Sequence, residues 1–558
     1  FISEEIGIPS LEIQYTENII TKVTSFAAVY QMMKRLTEVF DKITLDDIKD
    51  KTCIRDIAQT IKERYVTPEG YSFPLMDFQE TLFYHSKSFI RNEPTGLSCY
   101  IICRTQLKGF FDPACWDKTL NHIINCHPLL HSILSEESDK PEMITLPEYP
   151  TFKSSYEDIT SMNKEQQETF FLQKDEKDHD HRFDLKEYPL FYCNIYKTGE
   201  DEHELIIHID HQIIDGFSFF QFLQELTSTY DQFIAGKEIT VEQEKGLTFS
   251  DYVFVERFRR QTKRYQNAMD FALKVFKDLP EKISIPTKCQ PSLINKVHFN
   301  TLHTELDSLL MNKVLEISSH TSGICLNSLL MACYFKLMNL WSGQNDLIIN
   351  MPVFNREQHL PNAKNIIGSF LDIFPVRIQT SPQEPIVSIA RKIEQFVRTM
   401  LEYPISSIEL SRKIAEQEGL KQSSLSAIIF SNSINMLPKG ISHSSRYLTI
   451  GAPKVQTGAP GTYIDLVMYT WENKWCFDWN YVRELFDAEY IQLLSEQFTS
   501  MLNQLVDDTN TKGYEERSCS NILPLFYIKL LEQTNKTEHA YPLKTIYEQI
   551  SNTCLLYT

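Results

Sequence analysis

Apolar residues recur along this chain at two spacings. Phe26, Val29, Met32, Met33 and Leu36 follow the spacing of one helix face, with Ser25 in the place of an N-cap. Asp46 and Asp47 open a second short helix, and residues 52–58 begin a third. Residues 66–72, with Pro68 and Gly70, are polar and turn-prone, and read as a linker. From about 73 to 506 the pattern mixes strand-like runs (99–103, 191–196, 204–210, 346–351, 466–470) with helical stretches near 114–126, 218–230, 250–278, 323–341 and 484–505. The fold class this predicts is α/β. The polar stretch 236–246 falls near a possible break into two lobes, 73–240 and 241–506. Residues 507–520 read as a second linker, and the rest of 507–558 is too short to make a domain.

Composition narrows the function. Of 558 residues, 42% are hydrophobic and 23% charged, enough apolar material for full cores and against wholesale disorder. Acidic residues outnumber basic ones 74 to 55, for a net charge of −19, and no basic stripe suits a nucleic-acid backbone. No apolar run approaches the roughly 18 residues of a membrane span. The N-terminus, Phe1-Ile2-Ser3-Glu4-Glu5, lacks the layout of a signal peptide, and without a Met it is expected to belong to a longer chain. Twelve cysteines without a CxxC pair fit a reducing cytoplasm. His122 with Cys126, and His127 with His131, are spaced four apart, but no regular four-ligand set appears, so no metal site is expected. The run Asp178-His179-Asp180-His181 reads as a solvated loop.

The chemistry concentrates in residues 204–218. Alternation puts Leu205, Ile207 and Ile209 on one strand face and Ile206, His208 and Asp210 on the other. The strand should end near His211. Ser218 followed by Gln221 suits a capping box, and Phe219, Phe222, Leu223, Leu226 and Tyr230 mark a helix face. His211 and Asp215 therefore sit on a strand-to-helix turn, where a side chain can face a cavity. A histidine there can take a proton from an attacking amine or hydroxyl. Asp215 can hold the turn by pairing with a cation, and Gly216 leaves room for a backbone or a thin ligand.

The segment Asp210-His211-Gln212-Ile213-Ile214-Asp215-Gly216 resembles the HHxxxDG signature of condensation domains of nonribosomal peptide synthetases, within the chloramphenicol-acetyltransferase-like superfamily. Further family landmarks occur in order: Pro74-Leu75-Met76-Asp77-Phe78-Gln79, Gly109-Phe110-Phe111-Asp112, Asn125–His131, Arg182-Phe183-Asp184-Leu185 with Pro189-Leu190, Phe249-Ser250-Asp251-Tyr252 and Ile367–Asp372. Residues 1–65 resemble a peptidyl carrier protein, and 531–550 the linker and first residues of an adenylation domain. The resemblance implies a small helical-bundle carrier followed by two acyltransferase-like lobes with a tunnel between them. It implies amide formation between a donor thioester on an upstream carrier and an aminoacyl thioester on a downstream one. His211 would orient or deprotonate the amine, Asp215 would hold the loop, Gly216 would admit the arm, and Asp210 stands where the family has its first His. Cys126 and His131 stand where the family has Arg, so His131 becomes the expected partner of Asp215. Ser25 is the expected attachment point of 4′-phosphopantetheine, loaded by a phosphopantetheinyl transferase. Expected partners are neighbouring carriers and modules and a following adenylation domain, with no nucleic acid or membrane. Two alternatives stay open. Asp210, Asp215 and Ser218 also fit DxxxxDxxS, the heterocyclization signature, and the altered positions fit a non-catalytic docking platform.

Overall fold

The computed structural model describes residues 26–507 apart from 52, 69, 91–99, 138–139, 240–246, 295–296, 322, 355, 357–362, 402–404, 419–424, 435–445, 459–460 and 472–473. Ser25 and the tail 508–558 lie outside the described residues, and with them the expected pantetheine attachment point and adenylation start.

The fold is mixed α/β, built on two six-stranded sheets and a smaller four-stranded one. The first large sheet takes strands Tyr100–Gly109, Glu202–Asp210, Phe191–Lys197 and Ser155–Asp158 in that spatial order. Its far edge is closed by Leu448–Ile450 and Lys454–Thr457, which both pair antiparallel with Tyr100–Gly109. The second large sheet runs in the order Leu371–Gln379, Asp346–Phe354, Ile428–Asn432, Ile464–Trp471, Lys474–Val482, Phe299–Leu306. Two strands from the second half of the chain thus complete the sheet of the first half, and the division at 240/241 does not separate two self-contained lobes.

The expected alternation along 204–210 is present. Leu205, Ile207 and Ile209 enter one core with Trp116, Phe191 and Phe219, while Ile206 joins a separate cluster with Tyr100, Ile102 and Tyr196 on the opposite face. The expected helix 250–278 is two helices, Phe249–Gln261 and Lys263–Val275. Thr262 is extended between them, and its side chain accepts a hydrogen bond from the Tyr265 N–H, capping the second.

Residues 66–72 are not a linker. Val66–Thr67 and Gly70–Pro74 form a hairpin, and Gly70–Pro74 pairs with Glu142–Thr145 in the four-stranded sheet. Gly70 has φ +151°, and a Cβ on it would lie 2.0 Å from the Thr145 carbonyl oxygen. The glycine marks a close strand approach, not a flexible joint. Helices Phe26–Val39, Leu45–Ile48 and Ile54–Arg64 precede this hairpin. Met32, Leu36, Phe40, Ile48, Ile57 and Tyr65 share one core with Phe73 and Phe254. The Phe40 ring lies 4.9 Å from Phe254 and 5.1 Å from Phe258, centroid to centroid. The Tyr65 hydroxyl donates to Asp41, and the Lys42 ammonium donates to Ser72 and Glu142.

The run 178–181 is not a solvated loop. It closes helix Lys164–Asp180, Asp178 is buried, and the His181 ring packs edge-on against Phe183, Tyr192 and His208. The helix packs Phe170 and Phe171 on the sheet face of Tyr100, Ile102, Tyr196 and Ile206, so its end is drawn inward. No described helix is long and apolar enough to cross a membrane.

Candidate active site

Strand Glu202–Asp210 ends just before His211, and helix Gly216–Ile234 starts five residues after that histidine. The helix N-cap is Asp215, whose Oδ1 accepts the Ser218 N–H at 2.7 Å. The capping box expected at Ser218 is absent: the helix starts about one turn earlier, with Asp215 as N-cap and Ser218 already inside the first turn. Ser218 turns to the other half of the chain. Its Oγ donates to the Gly368 carbonyl at 2.7 Å and accepts the Gly368 N–H at 3.0 Å.

Asp215 is fully buried, and each of its carboxylate oxygens accepts charge-assisted bonds. Besides the Ser218 amide, Oδ1 accepts from the Arg356 guanidinium at 2.9 Å, and Oδ2 accepts the Phe370 N–H at 2.9 Å. Its own N–H donates to the Gly368 carbonyl. Arg356 also donates to Ser218 Oγ and to the Ile366 carbonyl, with its plane over the Phe217 and Phe370 rings at 4.5 and 4.2 Å. The cation expected opposite Asp215 is therefore Arg356, not His131. The His131 Nδ1 faces the Leu146 carbonyl at 2.9 Å, its ring stacks on Tyr149 at 4.4 Å, and burial lowers its pKa, so it brings no charge to the turn.

His211 is 5% exposed. Its ring meets Phe78 edge-on at 5.5 Å, and its Nδ1 finds no hydrogen-bond partner among the described residues. Burial lowers the imidazole pKa below its ordinary value, partly opposed by the neighbouring backbone and the Asp215 charge. The ring is therefore held neutral near pH 7, the form that accepts a proton. Ser369 Oγ donates to the His211 carbonyl at 3.0 Å. On the other side, Gln79 Nε2 donates to the Gln212 carbonyl at 2.7 Å and Gln212 Nε2 returns a bond to the Gln79 carbonyl at 2.9 Å. The Pro74–Gln79 landmark thus clamps the signature turn by two reciprocal bonds.

Asp210 is buried as well, and its pKa is pushed up to about 7 by burial, against the pull of the Gln212 N–H and of Arg182. Its Oδ1 accepts that N–H at 2.9 Å. A Cβ built on Gly216 would meet nothing within 4 Å, so the helix start borders open space. Asp210, His211, Asp215 and Gly216 share one turn, whereas His131 is elsewhere. Gln79, Arg356, Gly368 and Ser369 complete the site. The Ile367–Asp372 landmark pointed to two of these and the Pro74–Gln79 landmark to a third, while Arg356 carried no local signal.

These features define a class of α/β domain, one with a buried histidine on a strand-to-helix turn braced from the second half of the chain. A family model described as the condensation domain matches residues 71–521, and the chain belongs to that family. Bacitracin synthase 1 of Bacillus licheniformis is 24% identical over 436 residues, 77% of this chain and 8% of that protein. Pyochelin synthetase PchF of Pseudomonas aeruginosa is 22% identical over 367 residues, 64% of this chain and 20% of that one. The chain thus spans a small part of these synthetases. Among solved structures, the EpoB cyclization-docking bidomain of Sorangium cellulosum superposes with TM-score 0.68 at 16% identity, covering 89% of this chain and 94% of the other. The first condensation domain of the calcium-dependent antibiotic synthetase, in complex with a substrate analogue, superposes with TM-score 0.67 at 15% identity, covering 82% and 99%. At these identities the structural likeness establishes the fold.

Proposed function

We propose that this chain forms an amide bond between a donor acyl or peptidyl thioester on one carrier protein and the amine of an aminoacyl thioester on another. The observation that carries the reading is His211, buried, neutral and braced by both halves of the chain on a turn that borders open space at Gly216. The amine nitrogen attacks the thioester carbonyl, the C–S bond breaks, and the donor carrier leaves as a thiol. His211 orients the amine or takes its proton, and Asp215, held by Arg356, keeps the turn in shape. Tethering both substrates supplies much of the rate by raising their effective concentration. Reconstitution with a donor-loaded carrier and an aminoacyl acceptor carrier tests this. His211→Ala should lower the single-turnover rate by about 10²-fold or more, the range of a lost general base. Unchanged flux in that variant would instead favour a docking platform.

A second reading, heterocyclization, has its own support in the spacing of Asp210, Asp215 and Ser218 and in a structural neighbour described as a cyclization-docking bidomain. With a cysteinyl acceptor, cyclization would give a product lighter by one water than the amide. We infer a carrier role for residues 1–65 from their resemblance alone. Incubation with coenzyme A and a phosphopantetheinyl transferase should add one phosphopantetheine, lost in Ser25→Ala. A gain surviving that substitution would place the arm on another residue.

A further inference from the structure

Away from the turn, four polar side chains meet on one face of the second large sheet. His303 and Glu305 lie two apart on Phe299–Leu306, the edge strand, and Asp478 and Cys476 stand directly opposite them on Lys474–Val482. Residues two apart on a strand share a face, so the four make a compact square. The His303 Nδ1 is 2.6 Å from Asp478 Oδ1, and Asp478 is 1% exposed with its Oδ2 accepting from the Tyr469 hydroxyl at 3.0 Å. A carboxylate on Nδ1 makes that nitrogen the N–H and turns the Nε2 lone pair outward, as in carboxylate–histidine–metal sites. Nε2 faces Glu305 Oε1 at 3.9 Å. A His303 ring nitrogen, a Glu305 carboxylate oxygen and the Cys476 sulfur all lie within 4.8 Å of one another. Lys474 occupies the other Glu305 oxygen at 2.6 Å, leaving Oε1 for a ligand.

We propose that His303 Nε2, Glu305 Oε1 and Cys476 Sγ form a binding site for a thiophilic divalent cation, zinc in kind, with Asp478 orienting the imidazole. A simple ion-pair ladder accounts for His303 between its two carboxylates, and the Cys476 thiol, buried beside Tyr469 and Trp471, adds a sulfur donor at its inner end. Thiolate, imidazole and carboxylate together favour zinc over magnesium or calcium. Donors around tetrahedral zinc sit about 3.5 Å apart, so the three need close by only about 1 Å. Glu305 is the exposed member, so water would complete the fourth position from its side. On binding, the Cys476 thiol and any His303 imidazolium each release a proton to solvent, and no bond is oxidised or reduced. The ion would staple the edge strand to its neighbour. This role is independent of the acyl-transfer reading.

The test uses the whole chain, stripped with chelator, dialysed and titrated with cobalt(II) alone. One equivalent should bind with a near-ultraviolet thiolate-to-cobalt band, and zinc alone should displace it. Glu305→Gln, a change at an exposed position, should weaken binding at least about tenfold without altering the fold, and Cys476→Ser should abolish the band. Zinc should raise the unfolding midpoint of the parent chain and not that of Glu305→Gln. A band that survives Cys476→Ser, binding unchanged in Glu305→Gln, or no binding at all would overturn the proposal.

Discussion

Asp215 caps a helix, pairs with Arg356 and accepts the Phe370 amide, all inside the protein. Removing the guanidinium would leave that carboxylate buried without a counter-charge, a situation that costs about 3–5 kcal/mol. Arg356→Ala should therefore lower the urea stability by that amount. His131→Ala, which removes a ring stacked on Tyr149 and its bond to the Leu146 carbonyl, should cost about 1–2 kcal/mol and leave the turn intact. Equal losses in the two variants would mean that Arg356 does not brace the turn. Asp210 carries a different prediction. Its folded carboxyl keeps its proton up to about pH 7, whereas the unfolded one releases it near 3.8. Between these values the folded state binds more protons, so its contribution to stability is full below about pH 4 and lost as pH rises through 7. Asp210→Asn keeps the acceptor for the Gln212 amide and does not titrate. Relative to the parent, it should gain stability, by a few kcal/mol, between pH 4 and pH 8 in denaturation curves. A constant difference across that range would mean that Asp210 is not proton-bound when folded. The turn itself was legible because its residues lie within seven positions of one another and alternate in strand register. Arg356 was not, since it reaches Asp215 from 141 residues away and no local pattern announces a long-range ion pair.

Among elements, the same contrast separates spacing from context. The helix face of Met32, Met33 and Leu36 and the alternation of Leu205, Ile207 and Ile209 depend on local periodicity, and both are found buried as the spacing requires. Residues 66–72 misled because Pro68 and Gly70 are turn signals whether the turn joins two domains or two strands. Only the partner strand Glu142–Thr145 decides between these, and it lies far along the sequence. The break at Thr262 was hidden because the apolar positions on either side continue in helical spacing. The first three helices raise the sharper question of whether they form a unit apart. Their contacts tie them to the rest of the chain: Phe40 is wedged among Tyr65, Phe254 and Phe258, and Arg257 donates to the Val39 carbonyl. A double-mutant cycle over Phe40→Ala and Phe254→Ala should return a coupling of about 0.5–3 kcal/mol, as for side chains in direct contact. Additive effects would instead mean that the helices are an independent domain resting on the surface. With the coupling present, any carrier role of this segment requires that seam of aromatic contacts to open each time the arm is delivered.

For the molecule as a whole, the crossing strands Leu448–Ile450 and Lys454–Thr457 matter most. They cover Tyr100–Gly109, which otherwise presents its backbone donors and acceptors at a sheet edge beside Ile101, Ile102 and Cys103. A long, apolar open edge pairs readily with other chains. The signature turn depends on the same second half, since Gly368, Ser369 and Phe370 bond to Asp215, Ser218 and His211. Neither half is a finished unit, which is why a boundary drawn from composition near residue 240 marks a change of sheet but not of domain. The consequence can be tested by dividing the chain within 240–246. Residues 26–239 produced alone should aggregate or self-associate, because both the edge cover and the brace on His211 are missing. Produced together with 247–507, the same piece should elute as a one-to-one complex on size exclusion and regain the near-ultraviolet circular dichroism of the intact chain. A monomeric, natively folded 26–239 would show that the crossing strands are dispensable. The brace from the second half would then serve to position His211 and not to hold the sheet together.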